Sequence, residues 1–202
     1  MSVFKNFRNL FFILLLIFIS FKFQDFYLDR KYEIQINSIP LKDLQVIMQV
    51  IDVAKSKIGL EYTWGGKGEI MTENKLNQLI EYYGHEYYPL TKDDYIGIQA
   101  FDCSGLVYYS YLKVCNIDIG LSTKHQVEVL EDFKVSYKDI QPGDLIFTPG
   151  HVVMYIGKNE VIQAKGKSAY PNGGIVKTSA FLYKNGDVYR PIDYINNINN
   201  SY

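Results

Sequence analysis

One cysteine and one histidine lie in sequence settings that favour nucleophilic catalysis. Cys103 belongs to the segment Phe-Asp-Cys-Ser-Gly, directly before a pattern that predicts a helix. The free N–H groups and the dipole at a helix start favour a thiolate, so we expect a lowered thiol pKa at Cys103. The same N–H groups are suited to stabilising the oxyanion of a tetrahedral intermediate.

A thiolate nucleophile needs a base that accepts a proton and later returns it. His151 begins the strand-like segment His-Val-Val-Met-Tyr-Ile-Gly, and Gln163 lies in the next strand-like segment. A hairpin turn at 158–159 would bring the Gln163 amide beside the His151 ring, which its oxygen could then orient. By themselves these features also fit a buried structural cysteine and a structural histidine at a strand start.

The first 25 residues form a targeting segment. Lys5 and Arg8 precede an unbroken apolar run from Leu10 to Ile19. A basic start followed by about 7–15 apolar residues is typical of a secretory signal, and the run is shorter than the roughly 20 residues of a spanning helix. No small-residue cleavage motif follows, so a cleaved signal peptide and an uncleaved membrane anchor both remain open. Either way, we expect the rest of the chain to leave the cytoplasm.

Composition excludes several classes of protein. The 202 residues are 48% hydrophobic, with 21 basic against 22 acidic side chains, which excludes disorder and a highly charged nucleic-acid-binding arm. Two cysteines without a CxxC pair exclude a multi-disulfide scaffold and the common zinc patterns, so we expect no metal or other cofactor. We expect a tether at 26–40, one domain at 41–195 and a short tail at 196–202.

Hydrophobic periodicity predicts helices first and short strands afterwards. One helix is predicted from Leu41 to a stop at Gly59, one over 73–83, and one after Cys103. The strand-like segments follow as 145–148, 151–157, 161–165, 174–181 and 187–192. This order predicts an α+β domain in which N-terminal helices pack on a small antiparallel sheet.

Four motifs in this order resemble the NlpC-type cell-wall cysteine peptidases, which are papain-like enzymes of bacterial peptidoglycan. The motifs are Tyr-Thr-Trp-Gly-Gly at 62–66, Phe-Asp-Cys-Ser-Gly-Leu-Val at 101–107, Pro-Gly-Asp-Leu-Ile-Phe at 142–147 and Gly-His-Val at 150–152. The similarity covers roughly residues 45–190. It implies a papain-like fold and cleavage of peptidoglycan stem peptides, with the bond from the D-glutamate γ-carboxyl to a diamino acid as the expected target.

The resemblance also implies residue roles. Cys103 would be the nucleophile and His151 the general base, and Gln163 holds the third polar position, where the family most often has histidine. Gln163 carries no charge, so it would orient His151 but stabilise an imidazolium less than a carboxylate does.

Three further residues match positions that line the family's peptide pocket, namely Tyr62, Asp102 and Ser104. There the aspartate pairs with the free amino terminus of the stem peptide, as a carboxylate beside a partly buried site is suited to do. A helix N-cap is the alternative role for Asp102, and plain core packing is the alternative for Tyr62.

The chain departs from the family pattern at Glu61, where the family usually has proline, and at 67–100, which is far longer than usual. We expect this insertion to border the cleft. Its aromatic residues fit either a binding role or a surface segment packed by its own tyrosines.

Two other functions compete with the peptidase. An amidase or acyltransferase would use the same three residues on another amide or ester, and a catalytically inactive wall-binding protein would use none of them. For the peptidase we expect peptidoglycan stem peptides as partners, the cytoplasmic membrane if the N-terminal segment is uncleaved, no nucleic acid, and a monomer.

Overall fold

The computed structural model describes residues 2–166 and 173–201, with side chains described from residue 11 onward. The chain divides into two compact units, with the boundary between Ser38 and Ile39. The first unit is a single helix, α1 (Ser2–Asn37), whose part Phe11–Asn37 is long and apolar enough to cross a membrane. Residues 26–37 of the predicted tether are therefore helical, since no proline or glycine interrupts the chain before Pro40.

The second unit contains the remaining helices. Their bounds are α2 (Leu41–Lys55), α3 (Glu73–Tyr83), α4 (Lys92–Tyr95), α5 (Cys103–Cys115), α6 (Thr123–Val129) and α7 (Pro191–Asn199). Helix α3 has the predicted bounds, because Thr72 caps its start and Gly84 ends it at φ +107°. Helix α2 ends earlier than Gly59, because the N–H of Lys57 bonds back only three residues, to Ala54, at 3.1 Å.

Within residues 2–166 and 173–201, eight strands form two antiparallel sheets. The strands are β1 (Lys67–Ile70), β2 (Gln99–Phe101), β3 (Lys134–Val135), β4 (Leu145–Thr148), β5 (His151–Gly157), β6 (Glu160–Lys165), β7 (Gly174–Ser179) and β8 (Asp187–Tyr189). Strands β1 and β2 pair with each other, and the larger sheet has the order β3-β8-β4-β5-β6-β7. The last strand ends before the predicted 192 because Pro191 starts α7, which buries Ile192 and Ile195 and extends over residues 196–199 of the predicted tail.

The main core lies between the sheet and the two helices α2 and α5. Ile47 and Val50 of α2 and Leu106 of α5 are buried with Val152 and Met154 of β5. A smaller cluster, containing Val153, Tyr155 and Val161, is covered by segments near 137–140 and 180–183. The domain is thus α+β, with helices packed on an antiparallel sheet, as the sequence predicts.

The Pro-Gly-Asp motif closes a turn ahead of β4. Gly143 has φ +90°, and the N–H of Asp144 bonds to the Gln141 carbonyl at 3.0 Å. The Asp144 carboxylate is 2% exposed and accepts two hydrogen bonds of 3.0 Å from Arg190, after β8. This buried pair ties the turn to the far end of the domain, and loss of Arg190 would leave an uncompensated charge.

The insertion at 67–100 has a small core of its own. It starts with β1, returns through β2, and buries Tyr88 and Tyr95, each 2% exposed, against Met71 and Leu76. Its tyrosines thus pack largely against one another. At the same time Tyr83, at the end of α3, makes an edge contact with Trp64 with ring centroids 6.2 Å apart.

Candidate active site

The start of α5 places Cys103 at the edge of the main core. Asp102 caps the helix by accepting the Gly105 N–H at 2.6 Å, which confirms the N-cap alternative for this residue. The backbone N–H groups of Ser104 and of Val152, the second residue of β5, lie near the Cys103 sulfur and favour its charged form. Cys103, 7% exposed, therefore lies where the first turn of α5 meets the start of β5.

His151 is the first residue of β5, and Gln163 lies on the neighbouring strand β6. Lys158 and Asn159 both have positive φ, 49° and 59°, as a tight hairpin with a right-handed twist requires. The hairpin brings the Gln163 Oε1 atom 2.8 Å from the His151 Nε2 atom. Since the Val152 N–H lies near the Cys103 sulfur and His151 directly precedes Val152, the three sequence-predicted residues lie in the same region of the domain.

Two residues that the sequence did not single out hold Gln163 in a defined orientation. The Gln163 Nε2 group donates to the Thr178 hydroxyl at 2.7 Å, and the Tyr183 hydroxyl donates to Gln163 Oε1 at 2.8 Å. With its amide fixed this way, Gln163 presents a carbonyl oxygen to His151. The proton of the neutral imidazole is therefore on Nε2, which leaves Nδ1 free to act as a base.

Burial sets the protonation of the two central groups. It lowers the pKa of His151 below 6.5, and the hydrogen bond that His151 donates to Gln163 opposes this. Burial raises the pKa of Cys103 above 9.0, and the nearby Asp102 charge adds to this shift. The two backbone N–H groups and the Lys67 charge lower the pKa, but by less. The sequence-based expectation of a lowered thiol pKa is therefore wrong, because removal of the sulfur from water outweighs the helix start. Both directions favour the neutral forms, a thiol at Cys103 and a neutral imidazole at His151.

A cleft of about 390 Å³ opens beside Cys103. All three residues predicted for the peptide pocket line it, Tyr62, Asp102 and Ser104, together with Trp64, Lys67, Tyr83, Leu121, Ser122, Thr123 and Gly150. The insertion therefore borders the cleft through Lys67 and Tyr83. Tyr62 also packs against Trp64, with ring centroids 6.2 Å apart.

Lys67 is the functional candidate that sequence reasoning missed. Its Nζ lies 2.5 Å from Asp102 Oδ2 and 3.0 Å from Ser104 Oγ. Asp102 and Ser104 lie 35 and 37 positions away along the chain, so no local sequence pattern predicts these contacts. The only signal available was the position of Lys67, directly after the two glycines of a pocket motif.

The remaining cysteine and histidines lie outside this arrangement. Cys115 ends α5, and burial raises the pKa of its thiol to about 11. Neither His85 nor His125 lines the cleft. Across residues 2–166 and 173–201, no group of three or more His, Cys, Asp or Glu side chains is arranged to hold a metal ion.

The model of the NlpC/P60 family matches residues 59–172, more than half of the chain. The chain belongs to the NlpC/P60 family. The matched range includes the first pocket motif, Cys103, His151 and Gln163.

Curated members of the NlpC/P60 family are similar to part of the chain. A probable endopeptidase of Corynebacterium glutamicum is 29% identical over 122 residues, which are 59% of this chain and 43% of that protein. The murein DD-endopeptidase MepH of Escherichia coli is 32% identical over 72 residues, 32% of this chain and 27% of that protein. The chain thus spans less than half the length of these relatives.

A solved structure gives the same fold. The peptidoglycan hydrolase RipB of Mycobacterium tuberculosis superimposes with a TM-score of 0.52 at 24% identity, over 77% of this chain and 69% of that one. This NlpC/P60 likeness supports the α+β architecture described above.

The raised thiol pKa predicts how Cys103 reacts with iodoacetamide. Only the thiolate reacts, so at pH 7 labelling of Cys103 should be slower than that of free cysteine and should rise through pH 9. Mass spectrometry of the full chain in mild detergent measures the rate, and Cys103→Ala isolates the labelling of Cys115. A rate at Cys103 that is already maximal at neutral pH would contradict this protonation state and indicate a resting thiolate–imidazolium pair.

Proposed function

We propose that this protein is a cysteine-type peptidoglycan endopeptidase that cleaves stem peptides with Cys103, His151 and Gln163. The observation that carries the proposal is the 2.8 Å contact between His151 Nε2 and Gln163 Oε1, which leaves Nδ1 to accept a proton, at the start of the strand whose Val152 N–H lies near the Cys103 sulfur. The names of the relatives, two endopeptidases and a peptidoglycan hydrolase, support the substrate class.

In the proposed first step, the Cys103 sulfur attacks the amide carbonyl as Nδ1 of His151 takes up the thiol proton. Because Cys103 and His151 are both neutral before the attack, the imidazolium and oxyanion charges form only as the sulfur–carbon bond forms. The N–H of Cys103 itself, at the start of α5, is proposed to stabilise the negative oxygen of the tetrahedral intermediate, since the Gly105 N–H is bonded to Asp102. Gln163 keeps the imidazole in the orientation that the transfer needs.

In the second step the carbon–nitrogen bond breaks, and His151 returns its proton to the leaving amine. The acyl part of the peptide remains on Cys103 as a thioester. His151 then removes a proton from water as the water oxygen attacks the thioester carbonyl, the carbon–sulfur bond breaks, the carboxylic acid product leaves, and His151 returns its proton to the Cys103 sulfur. Gln163 supplies no charge to the imidazolium, so it acts as a positioning residue.

We propose the bond between the D-glutamate γ-carboxyl and the diamino acid as the target. The four sequence motifs support this choice, whereas the name of the Escherichia coli relative points to a DD-bond. Digestion of a stem peptide that contains both bonds, followed by mass analysis of the fragments, distinguishes the two.

The location proposed for the enzyme is the cell envelope. Helix α1 supports export, since Phe11–Asn37 is long and apolar enough to cross a membrane. A signal sequence can have the same length and composition. The peptidase domain is proposed to begin near Leu41, at α2. It would then act outside the cytoplasmic membrane, either anchored by α1 or released after cleavage.

The two cysteines provide a matched test of the nucleophile. Replacement of Cys103 by alanine should abolish cleavage of purified stem peptides, because no other group forms the thioester, whereas Cys115→Ala should retain most of the activity. Chromatography of the products from the full chain in mild detergent measures both. Equal cleavage by wild type and Cys103→Ala would overturn the mechanism.

Gln163 variants test the orienting role. Gln163→Ala frees the His151 ring and should lower kcat by about 10- to 100-fold with little change in KM, since general base catalysis contributes roughly 10²–10⁴-fold. Gln163→His restores an acceptor and should recover most of kcat. The exposed Gln78→Ala serves as the control. If Gln163→Ala matched that control in kcat, Gln163 would have no part in catalysis.

A further inference from the structure

We propose that Lys67 sets the substrate selectivity of the cleft, so that the enzyme prefers stem peptides whose amino end is acylated over those with a free amino terminus. The inference rests on the proposed peptidase function and names its substrate class. In the family resemblance, a free amino terminus pairs with the aspartate at position 102. In this chain an ammonium group of the protein itself occupies that position.

The Asp102 carboxylate has no acceptor site left for a substrate. Its Oδ1 atom accepts the Ser104 hydroxyl at 2.9 Å and the Gly105 N–H at 2.6 Å. Its Oδ2 atom accepts the Gly65 N–H at 3.2 Å and the Lys67 ammonium at 2.5 Å. A carboxylate offers about four lone-pair sites, so an incoming ammonium would have to displace Lys67.

The backbone holds Lys67 in place. The residue opens β1 opposite Phe101, and its N–H donates to Glu69 Oε2 at 2.7 Å. The neighbouring Gly66 carbonyl accepts the Asp102 N–H at 3.0 Å. A side chain on Gly66 would approach the backbone of Ala100 to 2.5 Å, so the two segments are in close contact. Lys67 and Asp102 are thus held together by main-chain bonds as well as by charge.

The Lys67–Asp102 ion pair is partly buried. The side chains of Lys67 and Asp102 are only 25% and 13% exposed, whereas those of Lys92 and Glu73, the other ion pair of the insertion, are 54% and 63% exposed. A second ammonium in the cleft would lie next to that of Lys67 and be repelled in a partly water-excluded site. The cleft therefore disfavours a free amino terminus.

An acylated amino end fits the same groups. The Lys67 ammonium has three N–H donors, and two of them are directed at Asp102 and Ser104. The third is suited to the carbonyl oxygen of an acyl group. The aromatic side chains of Trp64 and Tyr83 line the same cleft and provide an apolar surface for the rest of that group.

The test uses two stem peptides of one sequence, one with a free and one with an acetylated amino end. With the full chain in mild detergent, kcat/KM should be at least about 10-fold higher for the acetylated peptide, mainly through KM. Lys67→Met should lower this ratio of kcat/KM values by at least about 10-fold, because Asp102 becomes available to an ammonium. Lys92→Met, which removes the exposed ion pair of the insertion, should keep the wild-type ratio.

Binding provides the second measurement, should Lys67→Met fail to fold. The Cys103→Ala variant, with Lys67 in place, should bind the acetylated peptide more tightly in calorimetry. If that preference is found but no variant cleaves either peptide, the inference about the pocket stands and the peptidase proposal fails. If Cys103-dependent cleavage favours the free amino end, or Lys67→Met leaves the ratio unchanged, the inference is overturned and the peptidase proposal stands.

Discussion

The Asp102 carboxylate is the point at which the parts of the candidate site are joined. It caps α5 through the Gly105 N–H and also binds the Gly65 N–H, on the segment that leads into the insertion, and the Lys67 ammonium. Asp102 directly precedes Cys103, the first residue of α5, so the bonds that hold Asp102 also fix the position of Cys103. One buried acidic side chain thus fixes the position of Cys103, the proposed nucleophile, together with one wall of the cleft and the charge within it.

The β5–β6 hairpin positions His151, the proposed base. Gln163 is 2% exposed, and its amide is satisfied by Thr178, Tyr183 and His151, so the imidazole has one tautomer and one orientation. Burial of both reacting groups favours their neutral forms. In the proposed mechanism the proton therefore moves from Cys103 to His151 during attack on the substrate, and no thiolate is present beforehand.

Local signals in the sequence predicted much of this arrangement. Helix α3 lies between a capping threonine and a glycine with positive φ, and the 158–159 hairpin joins the strands that carry His151 and Gln163. Contacts between distant segments were not predictable, as with Lys67 and Asp102, 35 positions apart, or Tyr183 and Gln163, 20 apart. The thiol pKa was predicted in the wrong direction because the helix start is visible in the sequence, whereas the burial of the sulfur depends on the packing of α5 against β5.

The central claim is that Cys103 forms a covalent acyl intermediate with the help of His151. The most direct measurement is rapid mixing of the full chain with a stem peptide, acid quenching, and mass spectrometry of the protein and its proteolytic fragments. The account predicts a transient mass increase equal to the acyl part of the peptide, located on the fragment that contains Cys103. Peptide cleavage that proceeds at the same rate with no adduct, or with an adduct on another residue, would contradict it.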